Sequence, residues 1–180
     1  GNPRVVYAMN ESPDGKTAAF TGNPDNVYFN YSQNGGASWL PADRTIIVND
    51  TLTVGNVEGR TTAFPRMVID ERDNIFITYA RGASRGGGAG TDDVMLARVD
   101  RETSPFSMKA VGASGTVGSS GGVRISPDAD RQTGPDLAVG RGDVLHVLYF
   151  HEEAVSANSD IEHKTLLADD WDDVNPSGWD

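Results

Sequence analysis

Residues 65–79, Pro-Arg-Met-Val-Ile-Asp-Glu-Arg-Asp-Asn-Ile-Phe-Ile-Thr-Tyr, align without a gap on residues 135–149, Pro-Asp-Leu-Ala-Val-Gly-Arg-Gly-Asp-Val-Leu-His-Val-Leu-Tyr. Pro65 falls on Pro135, Met67 on Leu137, Ile69 on Val139, Asp73 on Asp143, Ile75 on Leu145, Ile77 on Val147 and Tyr79 on Tyr149. Each copy reads as a hairpin: a strand, a polar turn around the Asp, and a second strand with apolar residues at alternate positions. A third strand follows each hairpin. Asp93–Val99 and Asp160–Leu166 both align with Asn26–Ser32, and Val27, Val94 and Ile161 succeed one another at equal 67-residue intervals. Self-similarity at one period means that the chain repeats a supersecondary unit. A unit of about 70 residues made of four short strands is how a propeller blade looks in sequence.

With the strands of a blade labelled a to d, the chain opens inside a repeat. Strand b is expected at Arg4–Met9, c at 26–32 and d at 44–49. The second repeat is complete, with a at 65–70, b at 74–79, c at 93–99 and d near Met108–Val111. The third has a at 135–139, b at 143–150 and c at 160–167, while Asp169–Asp180 is too polar and broken for a convincing d. The fold class expected is therefore all-β, about two and a half four-stranded antiparallel blades in one segment, with repeats near 1–60, 61–130 and 131–180. Propellers close with roughly four to eight blades. An arc this short leaves sheet edges and blade flanks uncovered, so the expected partners are the remaining blades or further copies of this chain.

Residues 32–39, Ser-Gln-Asn-Gly-Gly-Ala-Ser-Trp, carry the densest turn chemistry in the chain. Asn34 tolerates a left-handed conformation and bonds backbone two residues on. Gly35 and Gly36 accept positive φ at no steric cost. Ser32 and Ser38 supply hydroxyls, and Trp39 is expected to lie buried beneath the turn. The octapeptide resembles the Asp-box (BNR repeat) of sialidase-type β-propellers, Ser-x-Asp-x-Gly-x-Thr-Trp, with Asn34 in place of the Asp and Ser38 in place of the Thr.

That resemblance implies a division of labour between the two ends of the blades. In such propellers the a–b and c–d turns share one face, so Ser32, Asn34, Gly35, Gly36, Ser38 and Trp39 are structural. The d–a and b–c connections gather on the other face, where function resides in loops on a rigid scaffold. Arg66, Arg81, Arg85, Asp92, Asp136, His151 and Glu152 are the candidate ligand-binding residues there. Sialidase chemistry would need three arginines on a carboxylate, a Tyr nucleophile activated by a Glu, and an Asp acid/base. Phe64-Pro65-Arg66-Met67 occupies the place of the family's Phe/Tyr-Arg-Ile-Pro motif in a different order. Tyr79 and Tyr149 recur with the repeat, which marks them as packing residues, and no catalytic residue is assigned. Two readings follow: a non-catalytic extracellular or cell-surface module for glycan or protein binding or surface assembly, or a piece of a sialidase-like exo-glycosidase. Fold alone does not choose between them.

The net charge of −11 argues against nucleic acid and against anionic membrane surfaces. No apolar run reaches the length of a membrane span. With no cysteine there is no disulfide framework and no thiolate zinc site. No organic cofactor is expected. Most of the acidic excess is Asp in turns, which is solubility and turn chemistry; the sharper reading is Ca²⁺ at Asp70/Asp73 with Asn74, at Asp92/Asp93, or at Asp169/Asp170 with Asp172/Asp173. None has EF-hand spacing. Arg85-Gly-Gly-Gly-Ala-Gly-Thr91 lacks the Lys-Ser/Thr of a phosphate loop and joins two strands. His146 is expected off the face on which Leu145 and Val147 pack, within reach of His163 on the next strand.

Overall fold

The computed structural model describes residues 5–11, 26–39, 46–47, 62–81, 93–100, 107–109, 123–125, 130–153 and 159–168. These form eleven strands and no α-helix, in three antiparallel sheets. The first sheet is β1 (Val5–Glu11), β2 (Asn26–Ser32) and β3 (Ile46–Ile47). The second is β4 (Thr62–Ile69), β5 (Ile75–Arg81), β6 (Asp93–Asp100) and β7 (Ser107–Lys109), with β8 (Val123–Arg124) also on β6. The third is β9 (Arg131–Val139), β10 (Val144–Glu152) and β11 (Ser159–Leu167). They stack flank to flank in chain order as consecutive blades. β9 lies against β4, and β4 against β1.

Period-2 alternation explains why the middle blade is buried on both sides. Ile75, Ile77 and Tyr79 of β5, with Met95 and Ala97 of β6, meet Val27 and Tyr31 of the first blade. The intervening Phe76, Val94 and Leu96 meet Leu137, Leu145, Val147, Tyr149 and Leu166 of the third. Tyr79 and Tyr149 are each 1% exposed, the packing role their recurrence indicated. Burying such a side chain stabilises by about 1.5–3 kcal/mol. Thr78 sits fully buried among them because its hydroxyl donates to the Met95 carbonyl at 2.8 Å.

Three boundaries depart from the sequence reading. The inner strands begin at Thr62 and Arg131, before Pro65 and Pro135, where the expected strands start. Proline cannot donate to a ladder, so each strand passes it through a bulge: the register shifts between Ala63 and Arg66 in β4, and opposite Leu148 to Phe150 in β9. The residue before each proline, Phe64 (φ 55°) or Gly134 (φ 60°), takes a left-handed conformation. Second, β5 and β10 run on to Arg81 and Glu152, so Arg81, His151 and Glu152 are strand-end and not loop residues. Third, the outer edge of the middle blade is built from two pieces. β7 pairs Arg98–Asp100 and β8 pairs Met95–Leu96, which carries Ile125 into the core at 0% exposure.

The turns between inner strands are set by their acids. Asp70 Oδ1 accepts from the Arg72 and Asn74 amides at 2.9 and 2.7 Å, and Oδ2 from the Asn74 side chain at 2.7 Å. Asp73 and Asp143 hold equivalent positive φ angles of 66° and 57°, a conformation that Asp tolerates better than most residues.

Candidate functional site

Strand direction within each blade separates the two ends. The Ser32–Trp39 turn, the Asp70–Asn74 turn and the Gly140–Asp143 turn lie at one end, and Arg131, His151, Glu152 and Ser159 at the other.

At the first end the hydrogen bonds run through Ser32, which is fully buried. Its hydroxyl donates to Asn34 Oδ1 at 2.9 Å and accepts from the Asn34 and Gly36 amides at 3.3 and 2.8 Å. Asn34 Oδ1 accepts from the Ser38 amide at 2.9 Å, four residues on and not the expected two, and its Nδ2 donates to Ser38 Oγ at 2.8 Å. Gly35 and Gly36 take φ of 71° and 92°. Trp39 is half-buried, not buried beneath the turn. The glycine at 36 leaves its ring room, with Cζ2 at 3.9 Å from where a Cβ would stand. The Ser32, Asn34 and Ser38 side chains thus bond to one another and to backbone amides within the turn.

At the other end, β9, β10 and β11 bring together a polar chain. The Tyr149 hydroxyl donates to Glu162 Oε2 at 2.6 Å. Glu162 Oε1 meets His151 Nδ1 at 2.7 Å, and His151 Nε2 meets Asp130 Oδ2 at 3.2 Å. Beside it, Arg131 and Glu152 pair at 3.0 Å, both half exposed. The register explains the grouping: Tyr149 stands opposite Glu162, and His151 lies between Gln132 and Asp160. Of this chain only His151 and Glu152 were singled out from sequence. Tyr149 was read as a packing residue only, and Glu162, Asp130 and Arg131 were missed, although Tyr149 and His151 at i, i+2 share a strand face.

The remaining candidates are distributed unevenly. Arg66 of β4 and Asp136 of β9, one repeat apart, approach to 3.5 Å across the blade boundary with side chains 51% and 73% exposed. Arg81 closes β5 opposite Thr62 and Asp93. Arg85 and Asp92 lie outside the described residues, as does the Asp169–Asp173 cluster. The Asp70 carboxylate is occupied by its own turn, and among the described residues no group of three or more His, Asp or Glu is placed to hold a metal ion. His146 and His163 form the expected cross-strand pair, Nδ1 to Nε2 at 3.0 Å with rings 8° from parallel.

No family model matches this chain, and no curated protein matches it. Among solved structures it is similar to the GH93 alpha-L-arabinofuranosidase of Fusarium graminearum in complex with arabinobiose, at 13% identity and a TM-score of 0.43, over 90% of this chain and 44% of that one. The chain thus spans under half the length of that enzyme.

Proposed function

We propose that this chain is an Asp-box β-propeller module of a secreted or cell-surface protein, and that it acts by binding glycan or protein at its Arg131–Glu152 end without chemistry of its own. The observation that carries this reading is the burial of Tyr149. A tyrosine hydroxyl bonded to a glutamate is the pairing a sialidase nucleophile uses, but here the ring is 1% exposed and packed in the core between two blades. A nucleophile must reach a substrate carbon, and this hydroxyl instead ties strand β10 to β11. Arg131, Glu152, Arg66 and Asp136 carry exposed charged groups, which suit hydrogen bonding to a polar ligand. The experiment is twofold. The purified chain is offered fluorogenic sialosides and aryl glycosides, where no turnover is expected. It is also applied to a glycan array, where retained ligands should weaken on Arg66→Ala and Arg131→Ala.

The second reading, a piece of a sialidase-like exo-glycosidase, is favoured by the same Tyr149–Glu162 hydroxyl–carboxylate geometry. Turnover of an aryl glycoside that disappears on Arg66→Ala would establish it over the first.

A further inference from the structure

The bulge ahead of each proline is filled differently in the two repeats. In the third blade Gly134 takes φ of 60°, and a Cβ there would stand 3.1 Å from Phe150 Cδ2. In the middle blade the equivalent residue is Phe64, at φ of 55°, and the equivalent of Phe150 is Ala80. A small residue on β5 thus leaves space for a side chain on the bulge. Space does not explain a phenylalanine, because the left-handed conformation penalises any Cβ and suits a bulky residue least. Burial does not offset the strain either, since Phe64 is 53% exposed. An exposed aromatic ring kept at a strained position points to function and not to packing. Phe64 lies in the opening residues of β4, at the same end of its blade as Arg131 and Glu152 in the third.

Two residues on from Phe64 stands a polar pair. Arg66 Nε faces Asp136 Oδ1 at 3.5 Å, one repeat position carrying opposite charges on adjacent blades. Arg66 Nη1 donates to the Pro65 carbonyl at 3.1 Å, and Asp136 Oδ1 accepts from the Leu137 amide at 3.0 Å. Those bonds tie the guanidinium to the bulge that carries Phe64 and occupy one side of each group. Among the described residues nothing bonds Arg66 Nη2 or Asp136 Oδ2, a donor and an acceptor on neighbouring side chains.

We propose that Phe64, Arg66 and Asp136 form a subsite for a neutral sugar, which rests on the binding reading and narrows its ligand to an uncharged glycan. A sugar ring presents C–H hydrogens on its face, which suit the negative face of an aromatic ring. Its neighbouring hydroxyls each donate and accept, so one takes an Arg66 hydrogen while the next donates to Asp136. The pair is electrically balanced, and each half repels what the other attracts. A carboxylated or sulfated glycan meets Asp136, and a basic peptide meets Arg66. One ring and one ion pair match a saccharide unit, a far smaller footprint than the roughly 800 Å² a side of a stable protein interface.

The 180-residue chain is applied to an array of neutral, sialylated and uronate-bearing oligosaccharides, and the neutral one retained best is titrated calorimetrically. Neutral glycans should be retained and acidic ones not. Phe64→Leu keeps an apolar side chain at the strained position but has no aromatic face, and should weaken the titrated affinity at least about 10-fold. Phe64→Tyr restores the face and should bind as the parent chain does. Asp136→Asn leaves the Arg66 charge uncompensated and should bring acidic glycans onto the chain. Both positions are exposed, so far-UV circular dichroism should stay unchanged. Retention of acidic glycans by the parent chain, or neutral binding indifferent to Phe64→Leu, overturns the sugar subsite and leaves the binding reading standing. A chain that retains no glycan of any kind overturns this proposal together with the glycan half of that reading.

Discussion

Asp143 Oδ1 accepts the Glu71 amide hydrogen at 3.0 Å, binding the β9–β10 turn of the third blade to the β4–β5 turn of the second. Its other oxygen faces Arg72 Nε at 3.7 Å. Asp143 is buried while Arg72 is largely exposed, so the amide bond matters more than the ion pair. The two blades thus share a polar clamp at one end of a hydrophobic interface. Asp143→Ala should lower unfolding stability by about 1–3 kcal/mol, since it strands a donor and places alanine at positive φ. Asp143→Asn keeps an acceptor and should cost clearly less. Urea unfolding of the two variants checks the order.

In the Ser32–Trp39 turn the buried hydroxyl outranks the conspicuous ring. Ser32→Ala removes the acceptor of two amides and should cost about 1–3 kcal/mol. Ser38→Ala, at an exposed position, should cost under about 1 kcal/mol. Trp39→Ala should fall below the roughly 3–5 kcal/mol of a fully buried tryptophan, because Trp39 is only half-buried. Thermal and urea denaturation of the three variants would show whether this ranking holds.

Equivalent positions of the repeat should respond with different magnitudes. Gly134 holds φ 60°, and a Cβ there would stand 3.1 Å from Phe150 Cδ2. Gly134→Ala should therefore destabilise by about 1–2 kcal/mol for the left-handed conformation, with more if the Phe150 ring must move. Phe64 already bears that strain at φ 55° with 53% exposure. Phe64→Gly releases about as much as it loses in chain entropy and should change stability by under about 1 kcal/mol. A loss on Phe64→Gly as large as that on Gly134→Ala would contradict the shared bulge.

Tyr149→Phe leaves Glu162 with His151 but without the 2.6 Å hydroxyl. A bond to a charged acceptor contributes about 1.5–3 kcal/mol, and a stability loss in that range is expected. Retention of array ligands should be unaffected, because the hydroxyl is a strut between strands. Arg66→Ala is the converse case. Its exposed pair with Asp136 should contribute under about 1 kcal/mol to stability, while ligand retention falls.

Much of this molecule is legible along the chain because the forces involved are local. Alternation at Ile75, Ile77 and Tyr79, and at Leu145, Val147 and Tyr149, set strand identity and the buried face. The recurrence of Asp73 and Asp143 marked the turns, and paired glycines the Ser32–Trp39 bend. The cross-strand partnership of His146 and His163 followed from the same period of two. Residues the structure gathered from distant strands were not readable. Asp130, Tyr149, His151 and Glu162 meet only because three strands adopt one register, and the bulges at Phe64 and Gly134 shift it where the prolines suggested strand starts. Likewise the Arg66–Asp136 and Glu71–Asp143 contacts, and the filling of the middle blade's edge by β8, depend on how whole sheets stack. Side-chain periodicity is encoded within a few residues. Register and stacking are decided by packing between segments tens of residues apart, where no local pattern specifies the partner.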